Sequence, residues 1–103
     1  MEERLMSLER DPHGNETRFL HQIGGLSGAR VLEVGCGEGR LTWRYAYGTR
    51  STVAIDPNLE RLSVARNACP PEWRERLHFV RADAEHLPMR HARFDRAILA
   101  WSL

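Results

Sequence analysis

Residues 30–39 read RVLEVGCGEG. Arg30 to Val34 is short and rich in β-branched and aliphatic residues, and a glycine cluster closes it, which is the pattern of a strand buried on both faces. Gly35, Gly37 and Gly39 follow on alternate positions. Glycines so placed let the backbone turn sharply and lie against a ligand with no side chain in the way. The stretch therefore predicts a strand, a tight turn at its carboxyl end, and a bound ligand in the crevice above that turn.

Downstream, Arg40 to Tyr47 contains no helix breaker and puts Leu41 and Tyr45 on one face, predicting a helix with Gly48 as a left-handed stop. Ser51 to Ile55 predicts a second strand. Asp56-Pro57 then reads as an N-cap followed by proline at the first helical position. The helix it opens carries a stripe of Leu59, Leu62, Ala65 and Cys69 and is broken by Pro70-Pro71. After a short helical turn around Trp73, Leu77 to Ala82 predicts a third strand, residues 83–93 a loop, and Ala97 to Trp101 a fourth strand buried on both faces. Upstream, Phe19, Leu20 and Ile23 predict a helix from Asn15 to Gly25. Strands alternating with helices imply an α/β fold, a Rossmann-like three-layer sandwich whose parallel sheet has about four strands in the order 3-2-1-4 with right-handed crossovers. In that order the fourth strand is an uncovered apolar edge and a template for self-association.

Composition narrows the function classes. The chain has 103 residues, 42% of them hydrophobic and 28% charged, as in an ordinary globular domain, and it lacks the long apolar run of a membrane span. Residues 1–10 lack the apolar core of a secretory signal, so the expected compartment is the cytoplasm. The net charge of +1, with the arginines scattered among nearly as many acids, argues against nucleic acid and membrane surfaces as partners. Cys36 and Cys69 are too few for a disulfide framework, and no Cys or His cluster has metal-ligand spacing, so both read as reduced thiols and no metal is expected. Trp43, Trp73 and Trp101 read as core or cover residues rather than as a base-stacking platform.

The glycine loop also discriminates between ligands. A pyrophosphate fingerprint requires G-x-G-x-x-G, but Arg40 stands where its last glycine belongs, and that glycine falls one residue earlier. Glu33 and Glu38 flank a loop that would have to cradle phosphate oxygens, where an anion site needs open amides. A ligand without phosphate and with positive charge tolerates both. Asp56 lies about twenty residues past the loop, where a nucleotide-binding fold sets a carboxylate on ribose hydroxyls, so the ligand expected is an adenosine derivative.

Glu33 to Gly39 resembles the first motif, [DE]-x-G-x-G-x-G, of class I S-adenosylmethionine-dependent methyltransferases, and Ala54-Ile55-Asp56 resembles their second-strand end. Residues 81–89, RADAEHLPM, with Phe94-Asp95 beyond, are similar to the "D-A-x-x-L-P" loop and "F-D" strand entry of the small-molecule-type (type 11-like) members. The resemblance covers residues 30–103. It implies S-adenosyl-L-methionine as cofactor, with the backbone of Gly35 and Gly37 against the methionine part, Gly39 among the cofactor-binding residues, and Glu33 receiving or organising the amino group. By the same resemblance Asp56 accepts from the ribose, Asp83 and the Ala84 amide read the adenine, and Ala100 lies beneath the methionine moiety. It implies methyl transfer to an acceptor, expected to be a small molecule. The chain is then expected to be the N-terminal part of a methyltransferase domain, binding cofactor but incomplete for catalysis, and no catalytic base is identified. A non-catalytic S-adenosylmethionine-binding or interaction module, and another adenosine-cofactor enzyme such as a dehydrogenase, are the competing readings.

Overall fold

The computed structural model of the chain describes residues 5–7, 25–83, 85 and 94–100. Five strands, β1 (Leu5–Ser7), β2 (Arg30–Val34), β3 (Ser51–Asp56), β4 (Leu77–Arg81) and β5 (Arg96–Leu99), form one sheet in the order β1-β5-β2-β3-β4. All four pairings are parallel. The four predicted strands thus stand in the predicted order 3-2-1-4, each within a residue or two of its expected bounds. The predicted helix over 15–25 falls almost wholly outside the described residues, and with it the third layer of the sandwich; Trp101, His86 and His91 also lie outside them.

One expectation fails at the edge of the sheet. The fourth predicted strand, β5, is not uncovered, because β1 pairs along it with Leu5 opposite Ala97 and Ser7 opposite Leu99. The backbone groups of β5 that would template self-association are occupied on that side, and the reason for expecting oligomers through it disappears. At the opposite edge, Arg66 donates from Nε and Nη2 to the Phe79 carbonyl of β4, at 3.0 and 2.8 Å.

Helices α1 (Thr42–Tyr45) and α2 (Leu59–Ala68) connect β2 to β3 and β3 to β4. Both crossovers step in the same direction across the sheet, so the right-handed rule sets both helices on one face. There Val31 and Ile98 pack with Leu41 and Tyr45, while Ala54, Leu77 and Phe79 pack with Leu62, Ala65 and the half-buried Trp43 and Trp73. Fully burying side chains such as Leu62 or Ile98 contributes about 1.5–3 kcal/mol each. Leu32, Val34, Ile55 and Ala97 point to the opposite face, where Phe94 packs on them. Trp43 lies 6.1 Å from Trp73 and 5.4 Å from Phe79 between ring centroids, a covering cluster as predicted.

Local details differ from expectation for identifiable reasons. The first helix is short and tightens into a 3-10 turn over Ala46–Gly48, and Gly48 is not left-handed. The Arg76 guanidinium donates to the carbonyls of Ala46, Thr49 and Tyr47 and so satisfies this helix end without a glycine stop. The second helix is capped by Asn58, not Asp56: its side chain accepts from the Arg61 amide at 3.1 Å. Leu59 is consequently 47% exposed, while Leu62, Ala65 and Cys69 hold the buried stripe. Cys36 and Cys69 are free thiols, both buried.

Candidate functional site

The carboxyl ends of the strands converge on the glycine loop. Val34 runs directly into Gly35, and the amides of Gly35 and Cys36 both donate to the Ile55 carbonyl, at 2.8 and 3.0 Å. The Gly39 amide donates to the Cys36 carbonyl at 2.9 Å, closing the turn. Gly35, Gly37 and Gly39 all have positive φ. At Gly39 the requirement is steric as well as torsional, since a Cβ there would stand 2.8 Å from Trp43 Nε1 with φ at +89°.

Asp56, the last residue of β3, is 8% exposed and accepts two backbone amides. Oδ2 takes the Gly37 amide at 2.9 Å and Oδ1 the Asn58 amide at 2.8 Å. It thereby ties the middle of the glycine loop to the start of α2. Each carboxylate oxygen has further acceptor capacity for a ligand hydroxyl. Four amides of the loop, those of Gly35, Cys36, Gly37 and Gly39, are thus already bonded within the protein.

Glu33 is placed differently. It is fully buried on the helix side of the sheet, and its Oε1 accepts from the hydroxyls of Thr42 and Tyr45, both at 2.6 Å. The tyrosine hydroxyl is held protonated well above its ordinary range by burial and then by the Glu33 charge. Burial also pushes the Cys36 thiol up, with Glu33 and Asp56 adding to the effect, so no reactive thiolate forms in the loop. Through Oε1, Glu33 thus clamps α1 to β2 from below the crevice.

The remaining predicted residues sit around the same rim. Ala100 is buried and its amide donates to the Val34 carbonyl at 2.8 Å, which sets it beside the start of the glycine loop. The register Asp56 to Arg81 leaves Asp83 two residues beyond the neighbouring strand end, exposed, with Oδ1 accepting the Glu85 amide at 3.0 Å. Ala84 lies outside the described residues. A cavity of about 480 Å³ bordered by Arg66, Arg74 and His78 opens between α2 and β4, toward the other end of that edge strand, and contributes nothing to the rim.

Sequence reasoning missed Thr42 and Tyr45, three residues apart and therefore on one helix face. A glutamate inside an otherwise apolar strand was the signal that buried donors must lie opposite it. It also missed Arg61, whose side chain runs along Gly37, with Nη1 3.7 Å and Cδ 3.8 Å from where a Cβ on that glycine would stand.

Comparison with known proteins matches residues 31–103 to the family described as "Methyltransferase domain". The chain is 35% identical over 75 residues to a tRNA U34 carboxymethyltransferase of Idiomarina loihiensis, covering 69% of this chain and 23% of that one. It is 35% identical over 84 residues to a malonyl-[acyl-carrier protein] O-methyltransferase of Pseudescherichia vulneris, covering 82% and 30%. Among solved structures, a glycopeptide N-methyltransferase complexed with sinefungin superposes with a TM-score of 0.70 at 24% identity, covering 94% of this chain and 41% of that one.

Proposed function

This chain belongs to the methyltransferase-domain family, and on that premise we propose that its glycine loop and strand ends bind S-adenosyl-L-methionine for methyl transfer to a small-molecule acceptor. The chain spans 23% and 30% of the two curated relatives, so the transfer itself is proposed for the protein as a whole. Bound S-adenosylmethionine supplies a methyl group on a positively charged sulfur. The residues here hold and orient it: Asp56 accepts from the ribose hydroxyls, Asp83 and Ala84 take the adenine edge, and Gly35, Gly37 and Ala100 leave room for the amino-acid end. Gly39 lets Trp43 pack beneath the loop.

The observation that carries this reading is the bond from the Gly37 amide to Asp56 Oδ2. A dinucleotide site aims its loop amides at pyrophosphate. Here that amide is spent on a carboxylate, whose charge repels phosphate and suits a cationic ligand. Sinefungin in the superposed structure is an adenosyl amino acid of the same shape class, which supports the choice. The relatives' names give a tRNA and a malonyl group on acyl-carrier protein as the acceptors of those proteins. The net charge of +1 favours a small acceptor over nucleic acid.

Titration calorimetry tests the cofactor. S-adenosylmethionine and its demethylated product S-adenosylhomocysteine should bind, and NAD should not; tighter binding of NAD would overturn the reading in favour of a dehydrogenase-type site.

A further inference from the structure

We propose, resting on the adenosyl reading of the site, that Arg61 is a further ligand-binding residue whose guanidinium stacks on the adenine base. Its position is fixed through Asp56. Oδ1 of that carboxylate accepts the Asn58 amide, and Asn58 Oδ1 in turn accepts the Arg61 amide at 3.1 Å. The first turn of α2 is therefore tied to the residue that meets the ribose. From there the side chain extends along Gly37, whose own amide is bonded to Asp56. Gly37, Asp56 and Arg61 border one corner of the crevice.

Several other arginines of the described structure are committed. Arg30 is paired with Asp95, Arg66 with the Phe79 carbonyl and Arg76 with the carbonyls around Ala46. Arg61 is exposed, and among the described residues its guanidinium has no hydrogen-bond or ion-pair partner. A cation held at a crevice mouth without a protein partner is available to a ligand.

Which part of the ligand it meets follows from the strand order. The amino-acid end belongs beside Gly35, Gly37 and Ala100, over β2 and β5, whereas Arg61 comes from α2 on the β3 side and reaches Gly37 where that residue bonds to Asp56. The ligand's carboxylate is therefore on the far side, and the aromatic base is on the near one. A planar guanidinium stacks on such a face, and lysine reproduces the charge without the plane.

The test uses the full chain and two ligands: S-adenosylhomocysteine, and 5′-methylthioadenosine, which keeps the adenosine and lacks the amino acid. Arg61→Ala should weaken both by the same factor, roughly 2- to 30-fold, with an unchanged unfolding midpoint. Arg61→Lys should fall between. A loss confined to S-adenosylhomocysteine would assign Arg61 to the carboxylate and overturn the proposal, as would unchanged affinity for both ligands. Failure of the unaltered chain to bind either ligand would instead overturn the adenosyl reading of the whole site, and Arg61's role with it.

Discussion

Glu33 and Asp56 are both carboxylates near the carboxyl ends of adjacent parallel strands, one residue short of the end in β2 and at the end in β3. Position along one face separates their roles: Glu33 stands opposite Ala54, two residues before the level of Asp56. Glu33 shares the face of Val31, points under α1 and is fully buried on two hydroxyls; Asp56 closes its strand, looks across the crevice and collects two backbone amides. Two residues of displacement along the same face take a carboxylate from a buried clamp under α1 to the end of the strand beside the glycine loop.

The largest effect should come from removing the clamp. Glu33→Ala leaves the hydroxyls of Thr42 and Tyr45 buried without their acceptor, and at about 1–3 kcal/mol for each orphaned group the loss is about 2–6 kcal/mol, measurable by urea unfolding. Glu33→Gln keeps an acceptor oxygen in place, so that variant should fold and bind S-adenosylhomocysteine like the unaltered chain. A tenfold loss of affinity in the folded Gln variant would break the comparison and bring Glu33 into the ligand shell.

Asp56→Ala should be the opposite case, with its main effect on affinity. Losing charge-assisted bonds to the ribose costs about 1.5–3 kcal/mol, roughly ten- to a hundred-fold in Kd by calorimetry. If Kd is unchanged while the protein loses stability, Asp56 is only a brace between the loop and α2.

The smallest effect belongs to a third carboxylate at the far end of the sheet. Asp95 accepts from the Arg30 amide at 2.8 Å and from its guanidinium, and these hydrogen bonds hold its carboxyl below the ordinary value of 3.8. A depressed value in the folded state means that the contribution is complete above the ordinary carboxylate range and is lost as pH falls through the depressed value. Acid unfolding of Asp95→Asn should consequently show a shallower decline below about pH 4 than the unaltered chain. Parallel profiles would mean that this half-buried pair does nothing measurable for the fold.

Much of this was readable in advance because it is local. Arg30–Val34 followed by alternate glycines specifies strand and turn within ten residues, and Asp56 at its spacing carries its own implication. The cap of α2 was misread because Asp56 and Asn58 are both good capping residues on either side of Pro57. What decides between them is that the Asp56 carboxylate is drawn off to Gly37, nineteen residues earlier in the chain. Glu33's inward direction was present in the parity of its strand, yet its partners lie on another element. Nothing in Leu5–Ser7 marks a strand, because a three-residue strand has no periodicity to read and its pairing is made with residues 97–99.

That same pairing sets an order of events for a growing chain. β1 is synthesised before its partner β5, which emerges only about ninety residues later. Local contacts form quickly, whereas closing so long a loop costs entropy that a three-residue ladder repays slowly. The interior pairs β2 with β3 and β3 with β4 can assemble while β1 waits. The sheet is finished at its β5 side by a segment older than every strand it joins, and until then that edge is open to whatever else in the cell can offer a strand.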